Sequence, residues 1–434
     1  MEHQPYAPRT PRELQELSRQ HGDKQVIWQC QQIARSASKW NYTHLIIFRL
    51  LVQQDATILP ILDSSHTDPC PVCNPALDQD QSLSTGILNE AMTKALTSRS
   101  PGKLLQMSEG EILMLQHGFF WVALAEAARP ELVEQAREHP QRERKQHKRE
   151  GYISSAIAID GSSSPTIHSS SEYEADSNPV HEDWHLERRT NSEEMTVRLV
   201  LSFLQHALNI CLVQATDQYE LRPRTRRMFT RAIIGGGAIT ISAEDDGGIC
   251  LMRRLGSGWE MGHPYCALLE AKRAPRNTYF DEKREEPVPL TLNENLAQWL
   301  GEAIVTWKAN MDLLQSGVFL IAASNTFVRF LHFRFGKDYL EYLDAMNEAD
   351  QRDIISDEGK DTFVHMQSTP WFNLQTSGGR TSSLCHLLAL ARWYDFQSRP
   401  EQGGEMISGF TEDEHDGDGD SDEVTSSDYM DTDE

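Results

Sequence analysis

The apolar run Tyr265-Cys-Ala-Leu-Leu passes directly into Glu270-Ala-Lys272-Arg273. Read as a strand, its side chains alternate, so Leu268, Glu270 and Lys272 share one face while Leu269 and Ala271 share the other. One face therefore turns from core to charge at the open end of a sheet. A half-buried carboxylate and ammonium at that point need each other or an ion. The Glu-x-Lys spacing alone carries nothing, because Glu143-Arg-Lys145 and Glu358-Gly-Lys360 repeat it. The first of those lies in a charged helix end and the second in a polar loop. Only Glu270-Ala-Lys272 closes a strand.

Asp245-Asp246-Gly247-Gly248 precedes this run. A strand-like segment ends near Ser242, and the glycine pair permits a tight bend into the next strand. Adjacent pairing of these segments brings Asp246 beside Glu270. Hard oxygen ligands of this kind suit Mg²⁺ or Mn²⁺, which keep several waters and reach phosphate oxygens.

Periodicity supplies the surroundings. Glu193 to Val213 is an amphipathic helix with Val197, Val200, Leu201, Leu204, Leu208 and Cys211 on one face. Glu193 projects near the centre of that stripe, and Thr190 stands at capping-box spacing before it. Strand-like segments follow at Phe229 to Ser242, Gly248 to Arg253 and Pro264 to Lys272. A second helix runs from Asn293 to Leu314, with Thr291 and Glu294 at capping-box spacing. Gln298 projects opposite its apolar stripe, which predicts exposure. Two strands, Val318 to Ala323 and Phe327 to Phe335, lead to a short helix at Asp338 to Met346. A strand at Thr362 to Gln367 and a last helix at Arg380 to Phe396 complete the series. The order predicts an α/β fold, a mixed sheet flanked by helices.

Residues 1–150 read as a mostly helical region with Phe119, Phe120 and Trp121 in its core and an interaction role. Residues 151–187 are Ser-rich and too polar to form a core, which predicts a flexible linker. Residues 188–396 form the α/β domain, and 397–434 an acidic disordered tail. No signal peptide or membrane span is expected. The expected residence is intracellular, the nucleus ahead of the cytoplasm, with Arg142 to Arg149 as an import signal or a solvated helix end.

The net charge is −24, and Thr411 to Glu434 alone holds twelve acids without a lysine or arginine. The remaining body is still acidic, so nucleic acid must be met by local basic patches. Arg222, Arg224, Arg226 and Arg227, with Arg231 beyond them, form one. The seven cysteines read as reduced and mostly buried. Cys70-Pro-Val-Cys73 with His66 has the look of half a zinc site or a redox pair, but no second Cys or His pair follows at zinc-finger spacing.

The series of Glu193 on a first helix, Asp246 before a strand and Glu270-Ala-Lys272 on the next resembles the PD-(D/E)XK nuclease-like superfamily, including fungal proteins with this domain, over about residues 190–396. The resemblance implies a restriction-endonuclease-like core and metal-dependent phosphodiester hydrolysis. Asp246, Glu270 and Glu193 would serve the metal, Lys272 would orient water or stabilise developing charge, and Gln298 matches a glutamine that some members carry on the following helix. The superfamily's proline before the aspartate is replaced by Asp245, which leaves Asp245 as a rival ligand. The implied cofactor is Mg²⁺ or Mn²⁺. The expected partner is nucleic acid, DNA ahead of RNA, with a protein partner for the N-terminal region. The rival expectation is an inactive nuclease-like scaffold for protein or nucleic-acid association.

Overall fold

The computed structural model describes residues 5–22, 26–30, 35–66, 70, 72, 90–128, 193–211, 218–272, 278–282 and 286–398. Thr190, Cys73, the Arg142 to Arg149 run, the 151–187 linker and nearly all of the acidic tail lie outside them. The N-terminal third contributes helices α1 (Pro11–Gln20), α2 (Tyr42–Ile47), α3 (Glu90–Ser98), α4 (Pro101–Leu104), α5 (Glu109–Leu113) and α6 (Gly118–Ala128), with strand β1 (Leu50–Val52). Helix α7 (Glu193–Ile210) leads to β2 (Tyr219–Arg224) and to the hairpin of β3 (Phe229–Ile234) and β4 (Ile239–Glu244). Then come β5 (Gly248–Leu255), β6 (Gly258–Lys272), and the small pair β7 (Thr278–Asp281) and β8 (Glu286–Pro289). Helix α8 (Asn293–Ala309) precedes β9 (Val318–Ser324), β10 (Phe327–Phe335), α9 (Tyr339–Asp344) and α10 (Glu348–Ser356). Strands β11 (Val364–Ser368) and β12 (Phe372–Asn373) and helix α11 (Ser377–Ser398) follow.

The central sheet is mixed, in the order β1-β11-β10-β9-β6-β5-β2, with β12 on β10. Strands β6 and β9 run parallel, as do β1 and β11, and the other neighbours are antiparallel. Alternation along β6 sends Leu269 and Ala271 into a core with α6, α7 and α11, and Leu268 into the opposite core with α2, α8 and α9. Helices thus cover both faces of an α/β sheet.

The N-terminal third is built into both layers. Strand β1 pairs with β11 from Leu50 opposite Val364 to Val52 opposite Met366. On the α11 side, the buried guanidinium of Arg380 donates to the carbonyls of Leu96, Thr97 and Arg99, satisfying the open carbonyl end of α3. On the other side, a Cβ on Gly301 of α8 would lie 2.7 Å from the Cβ of Ala37. Glycine there permits the close approach.

Several sequence expectations are corrected. Phe119 is exposed, whereas Phe120 and Trp121 are core. Phe229 to Ser242 forms a separate hairpin, and the outer strand of the three is β2, whose Arg-Pro-Arg end reads as a basic run rather than a strand. Helix α8 starts after Leu292 without a side-chain cap; Thr291 Oγ1 instead accepts from Arg329 Nη1 at 3.3 Å. Among the described residues no helix is long and apolar enough to cross a membrane.

Candidate active site

The start of β5 is fastened to the end of β6 around Glu270. Asp246 N donates to Leu269 O at 2.9 Å, Leu269 N to Gly247 O at 3.0 Å, and Ala271 N to Asp246 Oδ2 at 3.0 Å. Asp246 therefore bridges the two residues that flank Glu270. The close approach needs Gly248, which has φ +151° and whose Cβ would lie 2.1 Å from Ala267 O.

Asp245 does a different job. It is buried and accepts from Arg224 Nη1 at 2.9 Å and Nη2 at 2.7 Å, and from the backbone N–H groups of Met228 and Gly247. Burial pushes its carboxyl up, while Arg224 and those N–H groups oppose the shift. Arg224 also donates to the carbonyls of Pro264, Gly247 and Arg226. The pair is a brace for the loop that aims Asp246. Asp245 is spent on that brace, and Arg224, at 2% exposure, is not the phosphate contact that the basic run predicts.

On the α8 side, four polar side chains close into one network. Lys272 Nζ lies 2.6 Å from Glu270 Oε1 and 2.7 Å from Gln298 Oε1. Gln298 Nε2 donates to Glu270 Oε1 at 2.6 Å and to Glu302 Oε1 at 2.9 Å. Gln298, expected to be exposed, is half-buried at the centre of this network. Sequence reasoning misses Glu302, although an acid inside Trp299-Leu-Gly-Glu-Ala-Ile-Val305 stands out. It lies one turn beyond Gln298, so the two share a face.

Burial pushes the Glu270 carboxyl up to about 7; Lys272 opposes the rise and the charge of Asp246 adds to it. Glu302 is raised well above the usual carboxylate range, first by burial and then by Glu270. Burial works against the Lys272 ammonium, but Glu270, Glu302 and Glu193 outweigh it and hold its pKa above the ordinary lysine value. Glu193, half-buried in the first turn of α7, is thus within electrostatic reach of the network. The same turn is tied to the strand end by Thr196 Oγ1, 3.3 Å from Lys272 O.

Of the remaining arginines, Arg227 is exposed and pairs with Asp246 Oδ1 at 3.0 Å, and Arg226 is exposed beside it. Arg222 pairs with Glu220 at 2.7 Å and lies over the Trp259 ring at 4.8 Å. The structure brings Asp246, Glu270, Lys272, Glu193, Gln298 and Arg227 to one end of the sheet.

The donor chemistry fits Mg²⁺ or Mn²⁺. Asp246 and Glu270 offer carboxylate oxygens side by side, close enough that the charge of Asp246 raises the pKa of Glu270. Magnesium is commonly held by one or two carboxylates, with water and substrate phosphate completing its shell. Comparison of the chain with protein-family models, curated proteins and solved structures gave no match.

Proposed function

We propose that the chain is a metal-dependent nuclease of the PD-(D/E)XK kind. The observation that carries the reading is the convergence of Asp246, Glu270 and Lys272 where β5 begins and β6 ends, closed by Gln298 of α8. The order α7, β2, β5, β6, α8, β9, with β9 parallel to β6, supports a restriction-endonuclease-like core.

Asp246 and Glu270 would hold the cation, with Glu193 at the rim of the site. A Mg²⁺ or Mn²⁺ ion so bound lowers the pKa of water and offsets charge on the phosphate. The protein's own groups set the geometry. Gln298 locks Lys272 between its amide oxygen and Glu270, so the ammonium stays protonated and aimed. There it can donate to the attacking water or to a phosphoryl oxygen as negative charge develops. Arg227, exposed and paired with Asp246, would meet a phosphate backbone approaching the site, with exposed Arg226 next to it in the chain. Glu302 supports Gln298 by accepting from its Nε2.

One observation favours the rival, an inactive scaffold: Lys272 and Gln298 already satisfy Glu270 Oε1, as a purely structural ion pair would. Incubation of the purified chain with single- and double-stranded DNA and RNA, with Mg²⁺, Mn²⁺ or EDTA, separates the two. The nuclease reading expects cleavage of at least one substrate that EDTA stops. Binding without cleavage under every condition supports the scaffold.

A further inference from the structure

Beyond the turn at Pro60–Ser65, Cys70 packs with α11 in the core on the sheet face opposite Glu270. There His66, Cys70 and Cys385 each present one donor atom, and the three atoms lie within 4.8 Å of one another. Cys70 and Cys385 are buried, and His66 is half-buried. The two sulfurs are 3.8 Å apart and come from positions 315 residues apart in the chain. Among the described residues this is the three-donor His/Cys/Asp/Glu cluster that comes together, and it lies outside the carboxylate site.

We propose that His66, Cys70 and Cys385 bind a zinc ion that ties the N-terminal third to helix α11. The sulfur separation is far beyond a disulfide bond of about 2.05 Å. It fits two thiolates on one tetrahedral metal: Zn–S bonds of about 2.3 Å place two bound sulfurs roughly 3.8 Å apart. An imidazole joining two thiols is a soft N/S donor set, which selects zinc over magnesium. Two thiolates and neutral imidazole around Zn²⁺ leave no net charge, as a buried site requires. The coordination balances as Zn²⁺ replacing the two thiol protons, which go to solvent. Arg392, on the next turns of α11, has its guanidinium in the field of Cys70 and donates to Ser65 O at 3.4 Å. That hydrogen bond ties α11 to the residue just before His66. The fourth coordination position is for water or another side chain; Cys73 lies outside the described residues.

The site has structural work to do. The same α11 carries Arg380, which binds the end of α3. Zinc would provide a second tether between α11 and the N-terminal third, and its binding free energy would add to folding.

The test is metal content and spectroscopy on the full chain, purified reduced without chelator. One zinc per chain is expected, with Cys70→Ser and Cys385→Ser each reducing it to near zero. Cys211→Ser, altering a buried thiol outside the three-donor cluster, should keep one zinc. Replacement by Co²⁺ should give thiolate-to-metal charge transfer and tetrahedral visible bands, lost in Cys70→Ser. If Cys385→Ser fails to fold, Cys70→Ser and zinc release from wild type by a mercurial still decide the matter. Absence of bound zinc after zinc addition, full zinc retained by Cys70→Ser, or recovery of a Cys70–Cys385 disulfide from the native protein would each overturn the proposal. The first of these would leave the sulfurs as an apolar core contact.

Discussion

Arg224 grips both carboxylate oxygens of Asp245 in the interior, at 2.9 and 2.7 Å, one residue before the carboxylate that faces Glu270. This brace fixes the bend that delivers Asp246. It also separates two neighbouring acids that look alike in the sequence into a structural one and a site one.

Removing one partner of such a buried pair strands the other. Arg224→Met should lower unfolding free energy by about 3–5 kcal/mol, read as a lower urea midpoint. Asp245→Asn should cost less, because the amide oxygen still accepts from Arg224. An unchanged midpoint for Arg224→Met would show that the brace contributes nothing.

Arg226 and Arg227 should behave in the opposite way. Both are exposed, so alanine at either position should leave the urea midpoint nearly unchanged. Removing an arginine that pairs with a phosphate should reduce the slope of log affinity against log salt by about 1. Fluorescence anisotropy with labelled DNA and RNA over a salt series measures it. Identical slopes for wild type and both alanine variants would remove this surface from the interface.

Much of this site is legible in the sequence, for a local reason. Strand alternation places Leu268, Glu270 and Lys272 together whatever the rest of the chain does, and Gly247-Gly248 marks the bend that brings Asp246 to them. What is not legible depends on long-range packing. Gln298 projects away from the apolar stripe of α8, but this helix is buried on nearly all sides by the N-terminal third and the β3–β4 hairpin. A single-stripe projection therefore misplaces Gln298, and it hides the value of Glu302. Arg224 sits in a run of arginines, and only the pairing of β2 with β5, from Tyr219 opposite Arg253 to Arg224 opposite Gly248, turns it inward. The sulfur neighbour of Cys70 is equally hidden in the sequence, because Cys385 arrives from the last helix, 315 residues away.

Glu302 sets a pH dependence on stability. Burial and the neighbouring Glu270 raise its folded-state pKa above the unfolded value, so the folded chain holds this proton more tightly than the unfolded chain does. Stability from this group is full below the unfolded pKa and falls as pH rises toward the folded one. Glu302→Gln mimics the protonated form. Its melting temperature should match wild type at pH 5 to within a few degrees and exceed it increasingly toward pH 8. A parallel pair of pH profiles would show that Glu302 is ionised in the fold.

Metal affinity should separate ligands from the lysine. Asp246→Asn and Glu270→Gln each remove a ligand charge at nearly constant shape, and should weaken Mn²⁺ binding at least tenfold by calorimetry. Lys272→Ala removes no ligand and should leave binding within a few-fold of wild type. The same affinity for all four proteins would place the cation elsewhere.

The most direct measurement is the single-turnover cleavage rate of wild type and Lys272→Ala in saturating Mg²⁺, on a nucleic acid that both bind equally. The predicted result is EDTA-sensitive cleavage by wild type and a loss of at least about 10²-fold in the variant, the usual effect of removing one group that stabilises transition-state charge. Equal rates for the two proteins, or no cleavage by wild type on any form of DNA or RNA, would contradict it and leave the Glu270–Lys272 pair as part of a scaffold.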